Sequence, residues 1–156
     1  MSREVKIVLL AIGGAILLGV VGLFAWLLSG PEGGVKMANE MDQYALDYLE
    51  RHRLLESNEK VVCYYDVTLS MDGSEAAILT NARLLYHKGG RTTAILLTEL
   101  ADVQHHYESL IGDVIVARSA AGEMMKIEIA PFNGGETFLR ALNDAWRQAG
   151  GPAAAE

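Results

Sequence analysis

The side chains here with the widest chemical range are Cys63, the adjacent pair His105-His106, the separate histidines His52 and His87, and Asp66, Asp72 and Asp113. Neighbouring residues on a strand point to opposite faces, so His105 and His106 do not converge on one ion. Asp102, Gln104 and His106 share a face, but a transition metal needs a fuller set of ligands. His52 and His87 are distant in sequence, and no spacing brings them together. Cys63 would need a nearby base and a stabilised thiolate to act as a nucleophile. Its parity with Val61, Val67 and Leu69 places it on an apolar strand face instead, where a free cysteine packs as a small hydrophobe. Gly89-Gly90 and Gly134-Gly135 read as turn glycines, since neither has the strand–loop–helix context and lysine of a phosphate cradle. The aspartates are scattered among strands and turns. No catalytic residue, cofactor site or metal site emerges, and the chain reads as a non-enzyme.

The elements that carry these residues follow from periodicity. From position 61 the apolar residues recur every two, and the pattern predicts seven strands at 61–69, 75–80, 82–87, 91–97, 103–107, 114–119 and 124–129. Asp72-Gly73 and Gly89-Gly90 are hairpin signals between them. The period then returns to helix over 136–149, where Phe138, Leu142, Ala145 and Trp146 share a face suited to closing a small antiparallel barrel or sandwich. The last residues, 150–156, read as a frayed tail.

Before the strands, 35–57 reads as one amphipathic helix, with Met37, Met41, Tyr44, Tyr48 and Leu55 on a stripe and Asp47 and Arg51 spaced for an ion pair. Such a stripe packs either on its own domain or on a partner. Earlier still, 7–28 contains no charged residue and nothing more polar than glycine. As a helix it would measure about 33 Å, enough to cross a hydrocarbon core of about 30 Å. Pro31 makes a poor cleavage position just beyond it, so the run is expected to stay on the chain as a single transmembrane anchor. Residues 1–6 form its N-terminal flank, and 29–34 form a hinge rich in glycine, with one proline. Ala11, Ala15 and Gly19 recur every four residues, a spacing that lets a second transmembrane helix approach closely.

The net charge of −7 belongs to the part beyond the anchor, because Arg3 and Lys6 cancel Glu4 and Glu32. An acidic domain repels phosphate backbones, which argues against nucleic acid as a partner. Arg3, Lys6 and the terminal amine precede the span, and Lys36 alone follows it closely, so the balance predicts a cytoplasmic N-terminus and an external domain.

Seven short antiparallel strands followed by one helix is the element order of a pleckstrin-homology (PH)-like domain, and the residues are similar too. The stretch Ala77-Ile78-Leu79-Thr80-Asn81-Ala82-Arg83-Leu84-Leu85-Tyr86 resembles the LTN-x-RLLY signature of bacterial PH and GRAM-type domains. Thr92 to Leu97 with Leu100-Ala101-Asp102-Val103 resembles their T-x-I-x-L-x-x-I-x-x-V continuation, and Phe138 and Trp146 sit where the closing helix of the family places large apolar residues. The resemblance covers 59–149. It implies an α+β, mainly β fold and a binding or scaffolding role rather than catalysis. Phosphoinositide-binding members carry basic residues around the first hairpin, whereas this chain has Ser70-Met71-Asp72-Gly73-Ser74-Glu75, with no cation to meet a phosphate. The sequence therefore points to a membrane-anchored accessory subunit that binds or scaffolds a membrane protein complex and touches the bilayer through 7–28. The alternative is a lipid-sensing module that uses an apolar pocket.

Overall fold

The alternating residues build two antiparallel sheets. Strands β1 (Lys36–Met37), β2 (Val61–Asp66), β3 (Glu75–Thr80), β4 (Arg83–Lys88) and β5 (Arg91–Leu96) form a five-stranded meander. Strands β6 (Leu100–Glu108), β7 (Gly112–Ser119) and β8 (Met124–Ile129) form a three-stranded one. Two helices complete the set: α1 (Gln43–Arg51), before β2, and α2 (Gly135–Gln148), after β8. The computed structural model describes residues 33–68 and 74–151, together with Gly19. The chain divides into two units, Met1–Glu32 and Gly33–Glu156. The predicted span 7–28, its flank 1–6 and all but Gly19 of the Ala11, Ala15, Gly19 stripe lie outside the described residues. Among those described, no helix is long and apolar enough to cross a membrane.

The protein is mainly β, but it departs from the expected architecture in three ways. It has eight strands among its described residues rather than seven, because Lys36 and Met37 pair with Tyr64 and Cys63 along the outer edge of β2. The strands form two separate sheets, so of the barrel and the sandwich expected, the closed barrel is excluded. The predicted helix over 35–57 is cut to Gln43–Arg51. Ahead of it come β1 and a 3-10 turn, Ala38–Glu40, and Asp42 at its N-cap is extended. Its end is a Schellman motif, in which Leu54 N–H donates to the Leu49 carbonyl and Arg53 N–H to that of Glu50 (both 3.0 Å). Arg53 holds the left-handed position, φ 51°, that glycine usually fills. Asp47 accepts from Gln43 Nε2 at 2.8 Å rather than pairing with Arg51.

The main core lies between the sheets. Cys63, Tyr65, Leu79, Leu84, Ile95, Ile115, Ile127 and Ile129 meet Phe138, Leu142 and Trp146 of α2 there. Phe138 and Leu142 are fully buried, which stabilises the fold by about 1.5–3 kcal/mol each. The Trp146 indole donates to the Leu100 carbonyl at 2.9 Å, so its polar edge is satisfied inside the core. At the seam between the sheets, the Tyr65 hydroxyl accepts from Ala130 N–H at 3.1 Å.

The other face of the first sheet is covered as well. Tyr64, Ala76, Ile78 and Leu85 pack under Ala45, Tyr48, Leu49 and Leu54, a second core built by α1 and the chain just after it. Thus β2 to β4 are buried on both faces, and for this reason Tyr64 and Tyr65, of opposite parity, are both inside. Helix α2 ends in its own Schellman motif, with Gly150 left-handed and Gly151 N–H donating to the Trp146 carbonyl at 2.9 Å. Gly150 and Gly151 therefore finish the helix instead of starting the frayed tail predicted at 150; 152–156 lie outside the described residues.

At one end of the three-stranded sheet, the β6–β7 turn and the loop after β8 lie together. A Cβ on Gly112 would collide with the backbone from Ile129 to Pro131. In that loop Asn133 N–H donates to the Ala130 carbonyl (3.1 Å), and Phe132 is left-handed at φ 68°. For a bulky aromatic this conformation costs about 1–2 kcal/mol. The chain entering β1 is fastened to the same loop, since Val35 N–H donates to the Asn133 carbonyl at 2.8 Å.

Candidate functional site

Because α1 is short, the chain must return from its end to the start of β2, and the return opens an apolar groove of about 720 Å³. Met41, Leu46, Leu49, Leu55 and Val61 supply its apolar lining, while Glu50, Arg53 and Lys60 set charges around it. Leu46 is 43% exposed, so a large apolar side chain faces solvent in a groove that runs from helix to sheet edge. Val61 and Val62 lie on the stretch of β2 that two-residue β1 does not reach.

The residues that carried the family resemblance fasten the wall of this groove. Arg83 donates from Nε to Glu59 Oε1 (2.9 Å) and from Nη2 to Glu59 Oε2 (2.7 Å), with further contacts to the Leu54 carbonyl and Glu56. Thr80 Oγ1 donates to Glu59 at 2.6 Å and accepts from the amides of Ala82 and Arg83, which shapes the β3–β4 turn. Asn81 closes the clamp: its Oδ1 accepts from Lys60 N–H, and its own N–H donates to the Lys60 carbonyl. Burial opposes charge on Glu59, but the Arg83 hydrogen bonds, the Glu56 amide, Thr80 and the Arg83 charge outweigh it and hold the carboxyl down at about 2. The signature residues Thr80, Asn81 and Arg83 are thus structural here, pinning the 54–60 segment to the sheet.

The histidines placed apart by sequence are together in the fold. The rings of His52 and His87 lie 4.8 Å apart between centroids, and the Tyr48 ring packs at a tilt against both, at 4.5 and 5.4 Å. The correction has a simple cause. Tyr44, Tyr48 and His52 recur every four residues along one face of α1 and its C-cap, and that face crosses the sheet row Asp66–Ala76–His87. Burial, and then the proximity of His52, lower the His87 pKa below its ordinary value. Burial, aided by Asp66 and Asp42, pushes the Tyr44 hydroxyl up to about 12. The i,i+4 spacing of Tyr48 and His52 was the available signal; what His52 would face depended on the docking of α1.

Cys63 is fully buried, and burial pushes its thiol up to about 12, far from a reactive thiolate. His105 and His106 turn to different carboxylates: His105 Nε2 meets Asp113 at 2.7 Å, and His106 Nε2 meets Glu108 at 2.9 Å. The Asp113 carboxylate fills the space a Cβ on Gly135 would need, in the first turn of α2, where a negative charge suits the helix dipole. In the first hairpin, Glu75 is engaged by Lys88 (2.9 Å) and Tyr86; Asp72 lies outside the described residues. Among the described residues, no group of three or more His, Cys, Asp or Glu converges where a metal could sit. No protein-family model, curated protein or solved structure matches the chain.

Proposed function

We propose that this chain is a membrane-anchored, PH-like interaction module: a non-catalytic accessory subunit that holds a segment of a partner membrane protein. The observation that carries the reading is the groove beside α1. Its apolar lining and mixed-charge rim suit an amphipathic helix, whose apolar face would lie on Leu46, Leu49 and Val61 while its charges meet Glu50, Arg53 and Lys60. An anchor at 7–28 would raise the local concentration of such a module beside partners in the same bilayer. The PH-like assignment rests on four consecutive meander strands, a three-stranded sheet and a C-terminal helix against the core between them, together with the quoted signature residues. The flanking charges favour an external domain. A cysteine introduced at Ala153 in a Cys63→Ala background should react with an impermeant maleimide on intact cells; reaction only after lysis reverses the orientation.

The same groove favours a second reading, because about 720 Å³ with an apolar lining is also the size of a small-ligand site. One experiment separates the two. A photoreactive benzophenone residue replaces Leu46 in the full chain, and native membranes are irradiated. A discrete membrane-protein adduct, lost when Arg53→Glu and Lys60→Glu reverse the rim, is the expected result. A lipid adduct alone supports the lipid-sensing alternative. No adduct of either kind overturns the groove as the site.

A further inference from the structure

We infer that Leu110 and Phe132 form an apolar tip that dips into the surface of the lipid bilayer, giving the domain a second membrane contact; this rests on the proposed anchor at 7–28. Three observations converge on the tip. Leu110 is 94% exposed and Phe132 is 103% exposed, among the largest exposures of any apolar side chain described. They occupy the two loops that lie together at one end of the three-stranded sheet, and neither Ser109-Leu110-Ile111-Gly112 nor Ala130-Pro131-Phe132-Asn133-Gly134 contains a charge. Phe132 is also held outward by a left-handed backbone that a phenylalanine rarely adopts, and strain of this kind concentrates at sites of function.

The length of the tether selects lipid as the occupant. Val35 is hydrogen-bonded to Asn133, the residue next to Phe132. From Leu28 to Val35 the connection reaches at most about 25 Å when fully extended. A helix ending at Leu28 would therefore leave this loop within reach of the headgroup layer. Of the carboxylates flanking the two loops, Glu108 is engaged by His106 and Asp113 by His105, while Glu136, two residues beyond Gly134, is exposed. Two aromatic or aliphatic side chains inserted beside a spanning helix would fix the tilt of the domain, and with it the direction in which the groove opens.

The test places single nitroxide labels in the full chain, in a Cys63→Ala background, reconstituted into phosphatidylcholine vesicles. Phe132→Cys and Leu110→Cys carry the probes; both sites are solvent-facing, so neither substitution disturbs the core. Met124→Cys, at the opposite end of β8, is the aqueous control, and Ile16→Cys reports on the anchor itself. The expected result is that labels at 110 and 132 lose collisions with a water-soluble nickel chelate and gain collisions with oxygen, while the label at 124 does not. If the label at 16 is lipid-exposed but those at 110 and 132 stay accessible to nickel, the tip inference is wrong and the anchor stands. If the label at 16 is itself accessible to nickel, the anchor fails and the tip fails with it. Labels at 110 and 132 that become shielded from both collision partners would mean a protein contact, which also overturns the inference.

Discussion

Arg83 grips Glu59 through two parallel hydrogen bonds, and this one pair fastens the 54–60 segment, hence a wall of the groove, to the β3–β4 turn. The Glu59 side chain is only 3% exposed and that of Arg83 15%, so neither charge has water to fall back on. Removing the Glu59 charge leaves Arg83 with only the exposed Glu56 carboxylate and the Leu54 carbonyl, a weaker set than the two parallel bonds it loses.

Glu59→Gln should therefore destabilise the domain by about 1–3 kcal/mol at pH 7 in urea titration, since Arg83 keeps Glu56 as a partner. It should also flatten the acid limb of the stability curve. The carboxyl is lowered from 4.5 to about 2, so its contribution is present above 4.5 and disappears as the pH falls through about 2. A wild-type and a Glu59→Gln protein with the same slope between pH 4.5 and 2 would show that the clamp is not coupled to folding.

His87 titrates with the opposite logic for charge. Its pKa is lowered from 6.5 on folding, so the unfolded chain binds the proton more readily and stability falls as the pH drops below 6.5. His87→Leu should remove part of that slope. Urea midpoints at pH 7.5 and 5.5 measure it, and an unchanged pH dependence in the variant would assign the slope to other groups.

Trp146→Ala should cost about 3–5 kcal/mol, since it empties the face of α2 that fills the core between the sheets. Trp146→Phe keeps most of the packing but leaves the Leu100 carbonyl without its donor, an expected loss of about 1–3 kcal/mol. Denaturant titration of both variants separates packing from the hydrogen bond. A loss below about 1 kcal/mol for the alanine variant would place the indole outside the core.

Arg53→Gly sets two opposed effects against each other. The left-handed position costs a non-glycine residue about 1–2 kcal/mol, while glycine costs about 0.4–1 kcal/mol in unfolded-chain entropy. The net expectation is a gain of about 0.5 kcal/mol, read as a raised urea midpoint. A destabilised variant would show that the Arg53 side chain itself holds the groove in shape.

Much of the sheet was legible because its signals are local. The predicted strands at 75–80, 91–97, 114–119 and 124–129 and the helix at 136–149 fall within two residues of β3, β5, β7, β8 and α2, each bounded by glycine turns or by a change of period. The predicted single helix at 35–57 failed for the reverse reason. Met37 and Met41 fit a helical stripe, but Lys36 and Met37 take the vacant hydrogen bonds on the edge of β2, opposite Tyr64 and Cys63, far along the chain. Nor did the sequence announce the end of α1, since Arg53 stands where glycine would have marked it. The His52–His87 contact and the groove both depend on how α1 lies across the sheet, which no spacing along the chain encodes. Within the signature, Thr80, Asn81 and Arg83 were visible as residues, but their work as a clamp needs Glu59 and Lys60 from across the turn.

Strand β1 is only two residues long, yet it covers the middle of an edge that could otherwise template pairing with another chain. Behind it runs Val61-Val62-Cys63-Tyr64-Tyr65, a stretch of high β propensity with no charge and no proline. Lys36 and Met37 occupy the middle of that edge and put a lysine on its outer rim, the two devices by which sheets discourage pairing with another chain. Proteolytic trimming beyond Met37 would leave α1, the groove and every ladder from β2 onward in place while uncovering a sticky template. The cut product would be drawn into strand-by-strand association, having also lost the packing of Val35 and Met37 against the main core.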